Sequence, residues 1–113
     1  VACQPEEQTI RDVSVHKAAD LLGAGNEAAA PMLIDVREVW EYRLGHAPGA
    51  VNIPLSVFRA RYAEIPKDIL LICHIGQRSF AAAQFLRELG YTRLLNVEGG
   101  MDAWEAAGLP IET

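Results

Sequence analysis

The 113 residues predict an α/β fold in which short strands and helices alternate, the strands forming a mostly parallel sheet with helices on both faces. Three observations carry that expectation. The apolar runs at 32–36 and 69–73 are nearly continuous, as in strands covered on both sides, rather than alternating. Before and after them lie stretches whose apolar residues recur at helical spacing. Glycine and proline punctuate the joints between the two kinds of segment.

Taken in order, residues 1–8 are polar and read as a flexible tail, and a single domain is expected over 9–113, a length that suffices for one core and is short for two. Ser14 is placed to cap a helix with Val15, Ala18, Ala19 and Leu22 on one face, closed by Gly23-Ala24-Gly25-Asn26. Met32, Leu33, Ile34 and Val36 form a central strand. Ala50–Ile53 is a shorter one, bounded by Pro48-Gly49 and Pro54, and Ile69–Cys73 is a third. Ala82, Phe85, Leu86 and Leu89 then share one helical face, with Gly90 to end it. Arg93–Val97 is the last strand, Gly99-Gly100 a tight turn, and Met101 opens a final helix that stops at Gly108 before Pro110.

Charge and composition narrow the partners. Fifteen acidic residues against ten basic ones, with no Lys/Arg block, argue against nucleic acid or an anionic membrane. No apolar run approaches the roughly 18 to 20 residues that span a bilayer, and the chain reads as soluble and cytoplasmic. The opening Val1-Ala2-Cys3 is similar to the end of a bacterial lipoprotein signal, which would place the chain at the cell envelope; without a visible apolar segment before it, a flexible tail is the favoured reading. Cys3 and Cys73 lie seventy positions apart, which is neither a disulfide framework nor a zinc-site spacing, so no metal is expected.

In a parallel sheet, ligands bind beyond the carboxyl ends of the strands, and Cys73 stands at such an end. Cys73-His74-Ile75-Gly76-Gln77-Arg78 leads directly into a helix expected to begin near Ser79. Backbone N–H groups of the loop and the helix's free first-turn donors converge there, which favours a thiolate, a persulfide or an oxyanion. Gly76 permits the curled backbone, and Arg78 adds a charge and a planar fork of donors. A lone cysteine at a strand end is commonly inert packing; glycine, arginine and a helix start within six positions favour a nucleophile instead. His74 is adjacent to Cys73 and is expected to point elsewhere. His46, in Gly45-His46-Ala47-Pro48-Gly49, is expected to be a hydrogen-bonded structural residue rather than a general base.

Three segments resemble the signatures of the rhodanese family. Asp35–Pro54 is similar to the run Asp-Val-Arg, Glu-Tyr, Gly-His-x-Pro-Gly-Ala-x-Asn-Ile-Pro, with Ala47 where a larger aliphatic residue is usual; Cys73–Ser79 is similar to the active-site loop, and Val97–Pro110 to the C-terminal signature. The resemblance implies a five-stranded parallel sheet with the cysteine loop at its edge, and sulfur transfer through a cysteine persulfide without a cofactor. It implies further that Cys73 carries the sulfur, that His74, Ile75, Gly76, Gln77, Arg78 and Ser79 bind the donor, and that Asp35, Arg37 and His46 hold neighbouring loops. The expected donors are thiosulfate or a related persulfide, and the expected acceptors are cyanide, small thiols or a sulfur-accepting protein. Phe58, Arg59 and Arg61 are expected on the rim. Two other readings stand beside it: a non-catalytic or regulatory module on the same fold, and a phosphatase or arsenate reductase. The latter enzymes carry one residue more between Cys and Arg, a wider cradle suited to a tetrahedral oxyanion.

Overall fold

The computed structural model describes residues 10–23 and 31–113; the tail 1–8 with Cys3, the turn residues Ala24–Asn26 and Ala28–Ala30 lie outside the described residues. Five strands, β1 (Arg11–Val13), β2 (Met32–Asp35), β3 (Val51–Asn52), β4 (Asp68–Ile72) and β5 (Arg93–Val97), form one sheet in the order β1-β5-β4-β2-β3. Every pairing is parallel, with Ile34 opposite Leu71 and Leu70 opposite Leu95. β4 is the middle strand. That position explains its unbroken Ile69-Leu70-Leu71-Ile72 run, since both faces of the strand are covered.

The pleat sorts the core into two layers. Leu33, Leu70 and Ile72 face one way, packing with Val15 and Ala18 of α1 (Val15–Leu22) and with Met101 and Trp104 of α5 (Gly100–Ala106). Ile34, Ile69 and Leu71 face the other, packing with Phe58 of α3 (Phe58–Arg61) and with Ala82, Ala83 and Leu86 of α4 (Gln77–Glu88). Each fully buried Leu or Ile contributes about 1.5 to 3 kcal/mol.

The caps follow from local chemistry. Ser14 accepts a hydrogen bond from the Lys17 N–H at 3.0 Å and starts α1, and Gly23 closes it. α4 begins at Gln77, two residues before the expected Ser79, because Gly76 with φ +103° occupies the N-cap. Two elements carry no period in the sequence. β1, Arg-Asp-Val, has only Val13 turned partly inward and exists by pairing with β5 at the sheet edge. α2 (Val39–Leu44) has no buried residue and is held by a reciprocal cap between Glu38 and Glu41. Its Trp40 and Leu44 are 66% and 74% exposed. Among the described residues no helix is long and apolar enough to cross a membrane.

Candidate active site

β4 delivers Cys73 to the carboxyl edge of the sheet, where the residue is 1% exposed. The chain then turns through His74, Ile75 and Gly76 into α4, and the Gly76 N–H points back at Cys73 Sγ, 3.0 Å away. A left-handed φ at position 76 makes that return possible, and only glycine takes it without strain.

The loop's carbonyls are drawn off in the opposite direction. The Met101 N–H donates to the Cys73 carbonyl at 2.7 Å and the Asp102 N–H to the His74 carbonyl at 2.9 Å. Gly100, at φ +57°, sits so close that a side-chain carbon there would strike the Cys73 carbonyl and lie 2.6 Å from the His74 backbone. The first turn of α5 therefore grips the loop from behind. This is the function of a glycine pair that sequence alone marks only as a turn.

Behind the sulfur lies a polar chain that runs from the buried Ser79 and Asn96 out to the exposed Asp12. Ser79 Oγ is 3.3 Å from Cys73 Sγ and 2.5 Å from Asn96 Oδ1. Asn96 Nδ2 donates to Asp12 Oδ1 at 3.0 Å and to the Gly76 carbonyl at 3.3 Å. Ser79 is fully buried and Asn96 nearly so.

Arg78 is bound elsewhere than expected of a donor-binding fork. Its Nη1 and Nη2 donate to Glu41 Oε1 and Oε2 at 2.6 and 2.8 Å. The pair holds the Glu41 carboxyl down at about 2, chiefly through the Arg78 hydrogen bonds, and pushes Arg78 above its ordinary range. Glu41 is the chief cause of the upward shift of the guanidinium, with Cys73 and Asp35 adding smaller contributions in the same direction.

Asp35 and Arg37 form a buried pair, with Arg37 Nη2 donating at 2.9 Å to Asp35 Oδ2 and at 2.7 Å to the Gly45 carbonyl. They join the end of β2 to the turn before His46. His46 is buried, stacked on the Tyr42 ring at 3.7 Å, with Nδ1 2.9 Å from the Tyr42 carbonyl and Nε2 3.6 Å from Glu112. His74, Ile75 and Gln77 are exposed, and His74 Nε2 lies 4.0 Å from Asp102 Oδ1. Phe58, expected on the rim, is instead buried edge-on against Phe85, because its helix packs on α4; Arg59 lies over the Phe85 ring and Arg61 pairs with Glu64. A cleft of about 290 Å³ opens beside the loop, between Trp40 and Leu44 of α2 and Asp102 and Glu105 of α5. Among the described residues no three His, Cys, Asp or Glu side chains are grouped as a metal site.

Sequence reading missed Glu41, Asn96, Asp12 and the role of Gly100. Two of these left a signal. Asn96 is a polar residue inside the buried run Leu94–Val97, where an amide must find partners. Glu41 stands three positions after Glu38, the capping-box spacing. Asp12 left none, since its link to the loop exists only through β1's pairing.

Comparison with known proteins shows the family and the fold. A family model described as a rhodanese-like domain matches residues 14–107. A sulfurtransferase of Allochromatium vinosum is 40% identical over 82 residues, covering 71% of this chain and 77% of that protein. The thiosulfate sulfurtransferase GlpE of Actinobacillus pleuropneumoniae is 35% identical over 108 residues, 94% of this chain and 96% of its own. Among solved structures, a rhodanese-related protein from Thermoplasma volcanium is similar with a TM-score of 0.74 and 34% identity, covering 90% of this chain and 97% of that one.

Proposed function

This chain belongs to the rhodanese-like domain family, and from that premise we propose that it is a sulfurtransferase that carries sulfane sulfur as a persulfide on Cys73. The observation that supports this reading best is the polarity of the loop: an N–H is aimed at the sulfur at 3.0 Å, while the neighbouring carbonyls are bound by α5 and turned away. A sulfur anion finds a donor there, and the two carbonyls beside it are already engaged by α5.

The reaction is a double displacement. The Cys73 thiolate attacks the outer sulfur of thiosulfate; a bond forms between the two sulfurs, the bond to the sulfonate sulfur breaks, and sulfite leaves with the electron pair. The persulfide anion then rests against the Gly76 N–H. A thiolate or cyanide attacks the outer sulfur, and Cys73 thiolate is the leaving group. A persulfide donor follows the same course with a thiolate leaving in place of sulfite. No external oxidant or reductant enters, so this course requires no redox cofactor. In this reading Ile75, Gln77 and His74 face the incoming donor, while Arg78, engaged by Glu41, braces the loop and contributes its charge at a distance. The setting proposed is cytoplasmic, with small thiols or a protein thiol as acceptor.

The test is direct. Incubated with thiosulfate alone, the protein should gain the mass of one sulfur on Cys73, and cyanide should remove it as thiocyanate. Turnover of an aryl phosphate that disappears in Cys73→Ser, with no sulfur uptake by the parent, overturns the proposal in favour of phosphoryl chemistry.

A further inference from the structure

The cleft beside the cysteine loop has one wall that the core does not use. α2 buries none of its own residues, yet Trp40 and Leu44, four positions apart and so on one side of the helix, stand exposed along the cleft. An exposed tryptophan beside an exposed leucine is the composition of a binding anchor rather than of a solvated helix face. The other wall is α5, whose exposed Asp102 and Glu105 line the same space. His74, the residue after Cys73, lines it too, so the cleft borders the reacting loop.

The charges in this cleft do not cancel. Arg37 and Glu41 are also at its surface, but Arg37 is engaged by Asp35 and Glu41 by Arg78. That leaves Asp102 and Glu105, with only His74 Nε2 near, 4.0 Å from Asp102. An aromatic face and two carboxylates around a space of about 290 Å³ attract an ammonium or guanidinium on an aliphatic stem: the ring and the carboxylates take the charge, and Leu44 covers the methylenes. The space is at the lower end of the range for small-ligand sites and holds one or two side chains. A small thiol that carries carboxylates of its own meets like charge there.

We propose that this cleft docks a protein acceptor of sulfur: a segment whose cysteine is flanked by an apolar residue and by lysine or arginine, the basic side chain lying between Trp40 and the α5 carboxylates. The proposal rests on Cys73 carrying the sulfur. Docking then sets the partner's thiolate beside the loop; it attacks the outer sulfur of the persulfide, the sulfur–sulfur bond breaks, the Cys73 thiolate leaves with the electron pair, and the segment departs as a persulfide. The chain's net charge of -5 draws such a basic partner from a distance.

Two capped peptides test it, Gly-Leu-Cys-Lys-Lys-Gly and Gly-Leu-Cys-Glu-Glu-Gly. The protein is loaded with thiosulfate, uptake on Cys73 is checked by mass, and transfer to each peptide is followed as a second-order rate. Flanking charge also alters a thiol's own reactivity, so the quantity read is the lysine-to-glutamate rate ratio in one protein divided by that in another, where the peptides' own chemistry cancels. The ratio should fall about fivefold or more in Glu105→Lys and about two- to fivefold in Trp40→Ala, with Trp40→Phe close to the parent. Glu88→Lys, on the exposed last position of α4, changes the net charge equally and should leave the ratio within about twofold. Serine versions of the peptides, which accept no sulfur, read docking alone: the lysine version should shift the emission of the exposed Trp40 at a several-fold lower concentration than the glutamate version, while Trp104 is buried and stays silent. A ratio unmoved by Glu105→Lys and Trp40→Ala, or moved as much by Glu88→Lys, overturns the proposal even if Cys73 takes up sulfur normally. Docking of the serine peptides without any sulfur uptake removes the acceptor role together with the reading it rests on. A dimer in sedimentation that Trp40→Ala dissolves assigns the face to a second copy of this chain and overturns the proposal as well.

Discussion

Arg78 binds Glu41 through two parallel hydrogen bonds, 2.6 and 2.8 Å long, across 37 positions of sequence. The pair fastens the first turn of α4 to α2, a helix that buries none of its own residues. A guanidinium that looks from sequence like a hand for substrate is, in the folded chain, already holding a carboxylate.

That relationship makes stability depend on pH in a known direction. The Glu41 carboxyl is held at about 2 in the folded state against 4.5 when unperturbed. Its contribution is therefore present in full above about 4.5 and fades as pH falls toward about 2. Allowing for solvent screening of the half-buried Arg78, the contribution is on the order of 1 to 3 kcal/mol. Denaturant unfolding should show Glu41→Gln less stable than the parent by that amount at neutral pH, with the gap closing near pH 2. A gap that persists unchanged in acid means the charge pair is not its source.

The same substitution tests how donors are bound. With Glu41 neutral, the Arg78 fork is released toward the loop mouth, and KM for thiosulfate should fall roughly two- to tenfold, one added hydrogen bond's worth. In an Arg78→Ala background the fall should vanish. Steady-state kinetics on the four variants, fitted as a cycle, reads this directly, and a KM that rises in Glu41→Gln shows instead that the pair is needed to shape the loop.

Gly100 offers a packing test. An alanine there meets the Cys73 and His74 backbone and must also hold φ +57°. Gly49, at φ +81° with nothing within 4 Å, shares the strain without the collision. Gly49→Ala should cost about 1 to 2 kcal/mol and leave persulfide formation intact. Gly100→Ala should cost more and abolish sulfur uptake by displacing the loop. Equal effects of the two in thermal melts and in mass spectrometry would show that α5 does not set the loop's position.

Selectivity between the two cysteines is the fourth expectation. Peptide mapping after thiosulfate treatment should place the added sulfur on Cys73, with Cys3→Ser unchanged and Cys73→Ser taking up none. Label on Cys3 alone would contradict the role given to the Gly76 N–H.

What the chain's own pattern made legible was the part built from apolar periodicity and glycine placement. The middle strand, the α1 cap at Ser14 and the turn at Gly76 are all written locally, in residues whose neighbours in sequence are their neighbours in space. β1 and α2 were invisible because neither owns a buried face: one is an edge strand borrowed onto β5, the other a helix held by its cap and by Arg78. The site divided in the same way. Cys73 and Gly76 on the loop and Ser79 in the first turn of α4 lie within seven residues and could be read together, whereas Asp12 and Glu41 reach them from other elements, and no spacing rule connects residues 12, 41 and 96. Arg78 was readable as a cation near the loop, but its partner decides what it does, and partners across a fold leave no mark on the local sequence.

The attachment of β1 has a further meaning for the order of events in a growing chain. Residues 11–13 pair only with β5, and Asp12 meets Asn96 across 84 positions. During synthesis the first strand is made early and waits, edge unpaired, until residues 93–97 have emerged; the loop closed at that moment is nearly as long as the domain. Cys73 is made before its distant polar partners are assembled. The last strand to arrive brings in Asn96 and pairs both β1 and β4, and the first turn of α5, made just after it, completes the grip on the cysteine loop.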